Sequence, residues 1–247
     1  MNYKIIHDEE QLKNFIEWLP ELLPGETFYV SLMARSKYCK GVKHINSDKQ
    51  QLRRFLSTKE FLFEKIKQME IEEEYYFQKH NPMPQEALAV YITPNPRSFE
   101  KAAKACLIRL AELITKPYSN YNIVAEATSE VHKAVSRKIY LDIDFDNPHG
   151  DITQDYYVSN EYFLGLNRAI IEKCINKDCL TYIETRGGFH VLIELKKIAL
   201  EYKNSWHQSI TTLSGVDINN SKLSKCSDNM IPIPGCIQGN FVPKFIL

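Results

Sequence analysis

Apolar residues recur along this chain in two periods, and the periods divide it into helices and strands. Leu12, Phe15, Ile16, Leu19 and Leu22 repeat at helical spacing behind Asp8, a residue suited to accept the first free amides. About residues 8–24 therefore predict a helix, ended by Pro20 and Pro24-Gly25. Thr27 to Met33 is rich in β-branched and aromatic residues and predicts a strand. Leu52, Phe55, Leu56, Leu62, Ile66 and Met69 form a stripe that predicts one helix over about 48–70, followed by the acidic run Glu70 to Glu74, read as a solvated face. Leu88 to Thr93 predicts a short buried strand stopped by Pro94-Asn95-Pro96, after which Ser98 caps a helix over about 99–115. Val124 to Thr128 is a weaker strand, Lys138 to Asp146 a clear one, and Tyr162 to Cys174 a helix. Leu180 to Leu195 predicts two strands around Gly187-Gly188, 203–214 a further helix, and 230–247 an extended, turn-rich tail.

Helices and strands alternate irregularly and a hairpin is present, so the predicted class is α+β. The Pro/Asn region near 81–85 is the candidate seam in a single domain spanning 1–247, between an N-terminal α/β part of about 1–82 and a C-terminal part of 83–247. There is no internal repeat. Hydrophobic residues make up 44 % and charged residues 25 %, ordinary globular values that exclude a disordered chain, a collagen and a coiled-coil rod. Lys plus Arg and Asp plus Glu number 31 each, so no global field advertises nucleic acid. No apolar run reaches the about 18 residues of a membrane span. The N-terminus turns acidic at once, unlike a signal peptide, and the six scattered cysteines read as reduced thiols of a cytoplasmic protein.

The most informative stretch is Ile139-Tyr140-Leu141-Asp142-Ile143-Asp144-Phe145-Asp146. On a strand Ile139, Leu141, Ile143 and Phe145 turn to one side, while Tyr140, Asp142, Asp144 and Asp146 turn to the other, as an exposed row. Neighbours on one side lie roughly 6–7 Å apart, so the carboxylates repel one another. Asp is depleted in strands, and the plainest compensation is a hard divalent cation such as Mg²⁺ or Mn²⁺. The alternative is a solvated strand face. Downstream, Thr185-Arg186-Gly187-Gly188-Phe189-His190 brings glycines that let a backbone approach a ligand closely, a planar guanidinium, and an imidazole able to donate to phosphate. The bland reading is a tight hairpin with an incidental His190. Val216-Asp217, and then Asp228 to Lys244 with its Pro234-Gly235 bend, offer a third carboxylate and a rigid turning path.

These three pieces together resemble the archaeo-eukaryotic primase superfamily in its primase-polymerase branch. That family carries a hydrophobic-Asp-x-Asp strand, a Ser/Thr-x-Gly-x-x-His-like hairpin, and a hydrophobic-Asp followed by a Pro-Gly-Thr-like turn. Here they look like Leu141-Asp142-Ile143-Asp144, Thr185 to His190, and Val216-Asp217 with Ile233-Pro234-Gly235-Cys236. The similarity spans about 139–245; Pro232 stands where the family often has a basic residue, and Cys236 where it has Thr or Ser. The resemblance implies a core with an RRM-like antiparallel sheet beside a smaller N-terminal α/β unit. It implies nucleotidyl transfer on a single-stranded DNA template, in replication or repair of a mobile element or in a bacterial defence system. Two divalent ions would be held by Asp142, Asp144 and either Asp217 or Asp228. Arg186, Gly187, Gly188, His190, Asn240 and Lys244 would contact the nucleoside triphosphate. Arg35, Lys37, Lys43, Arg53, Arg54, Arg97, Lys101 and Lys104 are candidates for the template groove; no P-loop occurs here, and the resemblance implies a helicase partner on another chain.

Two other readings compete. A haloacid-dehalogenase-type phosphatase also ends a hydrophobic strand in Asp-x-Asp, but it wants Thr or Val where this chain has Asp146, and its motif normally opens the domain. A degenerate nucleic-acid-binding module would keep the groove without the chemistry. Cys174 with Cys179, or Cys226 with Cys236, lack the Cys-x₂-Cys spacing of a zinc site.

Overall fold

The computed structural model describes residues 2–39, 50–73, 75–78, 81–115, 122–124, 129–150, 157–213, 215–216 and 230–246. The fold is α+β, and its described strand pairings are antiparallel. Helix α1 (Glu9–Trp18) starts where the Asp8 side chain accepts from the Gln11 amide, and it buries Leu12 and Phe15. The chain turns out of it ahead of Pro20, several residues before the predicted end. Strand β1 (Glu26–Ala34) is buried along nearly its whole length and forms the centre of the first sheet.

The stripe over 48–70 does not make one helix. Gln50–Ser57 is strand β2, paired with β1 from Phe28↔Ser57 to Ala34↔Gln50 with a shift at Leu32/Met33. Thr58 separates it from helix α2 (Lys59–Lys67), which buries Leu62 and Ile66. The spacing of Leu52, Phe55 and Leu56 fits either state. What decides is the row of β1 backbone groups that β2 satisfies, and a local period cannot see that partner. Glu70 is not part of a solvated face either. Its Oε1 accepts from the amides of Ile5 and Ile6 at 3.0 and 2.9 Å and so fastens the N-terminal segment.

After the small hairpin of β3 (Phe77–Gln78) and β4 (Asn81–Pro82), strand β5 (Leu88–Ile92) pairs with β1, and β6 (Arg97–Ser98) pairs with the start of β1. Ser98 caps α3 (Phe99–Ile114) by accepting from Lys101. Of the weaker strand over 124–128, Val124 lies in a helical turn and 125–128 fall outside the described residues.

Strand β7 (Tyr140–Asp146) opens the second sheet. Helix α4 (Asn160–Cys174), capped by Ser159, then precedes β8 (Leu180–Thr185) and β9 (Gly188–Glu194), and α5 (Trp206–Thr211) is shorter than its sequence suggests. From the tail, β10 (Ile231–Pro232) returns to pair with β5, and β11 (Lys244–Ile246) pairs with β8. The first sheet thus runs β10-β5-β1-β2 with β6 on β1, and the second runs β11-β8-β9-β7. Sheet membership does not divide at 81–85, because β5, β6 and β10 all lie beyond it and belong to the first sheet.

The two sheets share a core. Phe28, Val30, Leu32, Val90, Leu12, Phe15 and Ile66 from the first half pack with Ile183, Leu192 and Phe245 from one face of the second sheet. Its other face packs Leu141, Ile143, Phe145, Phe189 and Val191 against α4 and α5 in a second core. Two polar clamps hold the halves in register. Buried Asn95, just past β5, donates to the Tyr140 carbonyl at 2.9 Å and accepts from the amides of Ile139 and Tyr140, both at 2.8 Å. Arg137 grips Glu26 with two hydrogen bonds of 2.8 and 2.7 Å and donates to the Glu21 carbonyl. Among the described residues no helix is long and apolar enough to cross a membrane, and Cys39, Cys106, Cys174, Cys179 and Cys236 are free thiols.

The Glu26 clamp makes a pH prediction. Hydrogen bonds from Arg137 outweigh burial and hold the Glu26 carboxyl down at about 2, against an ordinary value of 4.5. Its stabilisation is complete above the ordinary value and disappears as pH falls through about 2. Glu26→Gln should cost about 3 kcal/mol in chemical denaturation at neutral pH. The variant should lose less stability than the parent on acidification; equal slopes for the two proteins would contradict the clamp.

Candidate functional site

The site grows from the alternation of β7. Leu141, Ile143 and Phe145 enter the second core as predicted, which turns Tyr140, Asp142, Asp144 and Asp146 to the opposite face. That face is not an exposed row, because it looks into the seam between the sheets. Tyr140 stacks on Trp18 at 4.5 Å, Asp142 is buried, Asp144 is partly buried, and only Asp146 at the strand end is exposed.

Beside β7, β9 sets Asp144 opposite His190 and Asp142 opposite Leu192. The His190 ring lies between both carboxylates. Its Nδ1 donates to Asp142 Oδ1 at 2.9 Å, and Nε2 stands 3.7 Å from Asp144 Oδ1, an ion-pair distance. Burial favours a neutral imidazole, but the charges of Asp142, Asp144 and Asp146 prevail and raise its pKa to about 9. His190 is therefore the cation that these acids hold within the fold. The second oxygen of Asp142, Oδ2, is buried and has no hydrogen-bond partner among the described residues.

The hairpin turn falls on Arg186-Gly187, one residue earlier than its two glycines suggest. Gly188 is already in β9, where an added Cβ would lie 1.9 Å from the Phe145 carbonyl oxygen. Glycine is required there so that β7 can approach, not to make the turn. Two asparagines brace this tip. Asn160 donates to the carbonyls of Thr185 and Arg186, both at 2.9 Å, and accepts from Asn147, which also donates to the Val158 carbonyl.

Cations gather on the other side of the tip. The Arg186 guanidinium lies 4.6 Å over the Tyr38 ring, its amide donates to Gln238 Oε1 at 2.8 Å, and its buried Nη1 has no hydrogen-bond partner among the described residues. Arg35 and Lys37 face the same ring, each at 5.6 Å, and Arg35 donates to the Tyr91 hydroxyl at 2.6 Å. Gly239, at φ +68°, closes this cluster, since a Cβ there would meet Arg186 Nη1 at 2.6 Å and the Tyr38 ring at 3.0 Å.

The chain matches no family model, no curated protein and no solved structure.

Of the sequence-predicted site residues, the fold brings Asp142, Asp144 and His190 together, with Arg186, Gly187 and Gly188 at the adjoining tip. Lys244 does not join them. It projects with Glu184 from the opposite face of the sheet, 3.3 Å from that carboxylate, and β8 and β9 lie between its strand and β7. Asn240 is exposed in the turn after Gly239. The Pro234-Gly235 bend is seated against the N-terminus, where His7 and Asp8 donate to the Gly235 carbonyl; the tail reaches the hairpin tip at Gln238-Gly239 and pairs with β8 through β11. Asp217 and Asp228 lie outside the described residues. The chain just before Asp217 does run beside β7, with Asp146 donating to the Gly215 carbonyl at 2.8 Å and Val216 bridged to Phe145.

Among the template candidates, Arg97 is fully buried and cannot face a strand. Arg53 donates to the Gln68 carbonyl, Lys101 to the carbonyls of Val135 and Ser136, Lys104 pairs with Glu100, and Lys43 lies outside the described residues. Arg54 lines a cavity of about 410 Å³ beneath α3, lined also by Tyr29 and Phe99 and not by the acidic residues. Tyr38, Tyr91, Asn147, Asn160 and Gln238 went unnoticed in the sequence, for their roles are set by distant partners; only Asn147, directly after the acidic strand, carried a turn signal.

Among the described residues no group of three or more His, Cys, Asp or Glu is arranged to hold a metal ion. The donor chemistry nevertheless suits a hard divalent cation: an unsatisfied oxygen on Asp142, and Asp144 partly open to solvent on the same face.

His190 supplies a direct check. In chelator-treated protein its ring should stay protonated through neutral pH and titrate near 9 by NMR, and Asp142→Asn should lower that value markedly. A titration at the ordinary 6.5 would show that the three carboxylates do not act together.

Proposed function

We propose that this chain is a primase-polymerase-type nucleotidyltransferase, extending or initiating a strand on a single-stranded DNA template. The reading rests on one observation: Asp142 and Asp144 project from one strand into the seam between two sheets, with His190 of the neighbouring strand between them. The motif order that resembles the primase superfamily, the α+β class and the antiparallel second sheet agree with it.

In this reading the two carboxylates, with Asp217 as the third, hold divalent cations; Asp217 is preferred to Asp228 because Val216 is bridged to Phe145 beside the acids. Bound there, such ions polarise the attacking hydroxyl and steady the departing pyrophosphate. The chain's own cations bind and orient the nucleoside triphosphate. Arg186 presents its guanidinium at the adjoining hairpin tip, with one buried nitrogen that has no hydrogen-bond partner among the described residues. With the acids holding such ions, His190 would donate from its ring to a phosphate oxygen of the nucleotide. Attack by the 3′-hydroxyl oxygen on the α-phosphorus forms the new ester as the bond to pyrophosphate breaks, and the hydroxyl proton leaves to solvent.

One observation favours a non-catalytic binding module instead: His190 already balances Asp142 within the fold. The two readings part in a single assay. With single-stranded template, Mg²⁺ or Mn²⁺ and ribo- or deoxynucleotides, the chain should make extension or dinucleotide products. Asp142→Asn and Asp144→Asn should each reduce synthesis at least about a thousand-fold with template affinity retained. Template binding without product under any condition would leave the binding module.

A further inference from the structure

The tip of the β8–β9 hairpin is held from two sides, and the two holds differ. Its carbonyls belong to the second half of the fold: Thr185 and Arg186 accept from Asn160, and Gly187 accepts from the Asn147 amide at 2.7 Å. The Arg186 amide is held from the tail instead, by Gln238 Oε1 at 2.8 Å. At this point the tail runs along β5. Val90 donates to the Ile237 carbonyl at 3.2 Å, Gly239 donates to the Leu88 carbonyl at 2.8 Å, and Gln238 is bridged to Ala89 between them. Gln238 is therefore a side chain anchored on the first sheet that reaches across the seam to the hairpin of the second.

Gln238 is only 5 % exposed, and its amide works at both ends. Oε1 accepts from Arg186, and the side chain acts as a hydrogen-bond donor toward the Tyr91 hydroxyl. Tyr91 in turn accepts from Arg35 and lies 3.3 Å, hydroxyl to hydroxyl, from Tyr38. Tyr38 carries the ring on which the Arg186 guanidinium rests. The contacts close on themselves. Gln238 fixes the Arg186 backbone, Tyr38 fixes its side chain, and these two holders meet at Tyr91.

Stability alone does not ask for this arrangement. Gly187 is exposed, and water can serve a backbone amide at such a tip. Ordering a buried glutamine for the purpose costs the rotamer freedom of a long side chain. What the buried amide supplies is direction. A hydrogen bond of near-ideal length fixes the plane of the peptide unit that enters Arg186, and that plane sets where its side chain begins. An arginine ordered before its ligand arrives spares the complex that ordering cost. The neighbouring Gly239 serves the same end, because a Cβ there would meet Arg186 Nη1 at 2.6 Å and take the space that the guanidinium fills.

We infer that Gln238 is the positioning residue of the triphosphate site, setting nucleotide affinity through Arg186. The inference rests on the nucleotidyltransferase reading, in which Arg186 binds the triphosphate.

Titration of the full chain with Mg²⁺-dATP, and separately with inorganic tripolyphosphate, tests it alongside strand extension. Gln238→Met keeps the length of the side chain and removes both polar ends. Gln238→Asn, which withdraws the amide by one methylene, replaces it if the first variant fails to melt like the parent. Loss of this one neutral hydrogen bond should weaken the binding of either probe about tenfold. In extension on a single-stranded template, KM for dATP should rise by the same factor with kcat unchanged, since the reacting atoms are untouched. In an Arg186→Gln background the same substitution should change neither quantity. Amide hydrogen exchange gives a readout that needs no ligand: Arg186 should exchange faster in the variant while Val191 keeps its protection. Parental protein that binds neither probe overturns the nucleotidyltransferase reading and this inference with it. Parental binding that Gln238→Met leaves intact overturns the inference alone. So do a loss confined to kcat, equal losses with and without the Arg186 guanidinium, and unaltered exchange at the Arg186 amide.

Discussion

Like charges crowded into an apolar seam are the constraint around which the rest of this structure is arranged. Asp142 is buried among residues of a hydrophobic core, and Asp144 is next along the same face. Leaving them unpaired would be prohibitive. The fold answers with an imidazolium from the adjacent strand, held between both carboxylates. This requires β7 and β9 to be in one register, since a slip of one residue would send His190 into the second core and Val191 or Phe189 toward the acids. The register is secured at the far end by Gly188, the position where only a residue without Cβ lets the strands meet.

The seam itself is a consequence of two sheets sharing one core. Ile183, Leu192 and Phe245 lie on the acidic face of the second sheet, yet they pack with α1 and the first sheet. The acids therefore face protein along most of the strand, and exposure rises only toward Asp146 at its end. Asn95 and the Glu26–Arg137 pair hold this arrangement by satisfying groups that would otherwise be orphaned where the halves meet. A tail that pairs β10 with the first sheet and β11 with the second threads both halves together.

Charge is sorted within a molecule of zero formal net charge. Acids gather along β7, and Arg35, Lys37 and Arg186 gather around Tyr38 just past the hairpin tip.

Much of this was written in local pattern. The period of two along 139–146 named the buried and acidic sides of β7, and the caps Asp8 and Ser98 marked helix starts. These features depend on neighbours in the chain, so the sequence by itself determined the α+β class, the Asp142–Asp144 pair and the hairpin carrying His190. Tertiary structure decided the remainder. β2 is a strand because β1 needed a partner, not because its period differs from that of a helix. Glu70 is a tether because two amides lie beside it, and Lys244 is remote because strand order places β8 and β9 between. The acidic face is buried, not exposed, because a second sheet covers it. Alternation dictates on which side of a strand a residue stands; only long-range packing dictates what occupies that side.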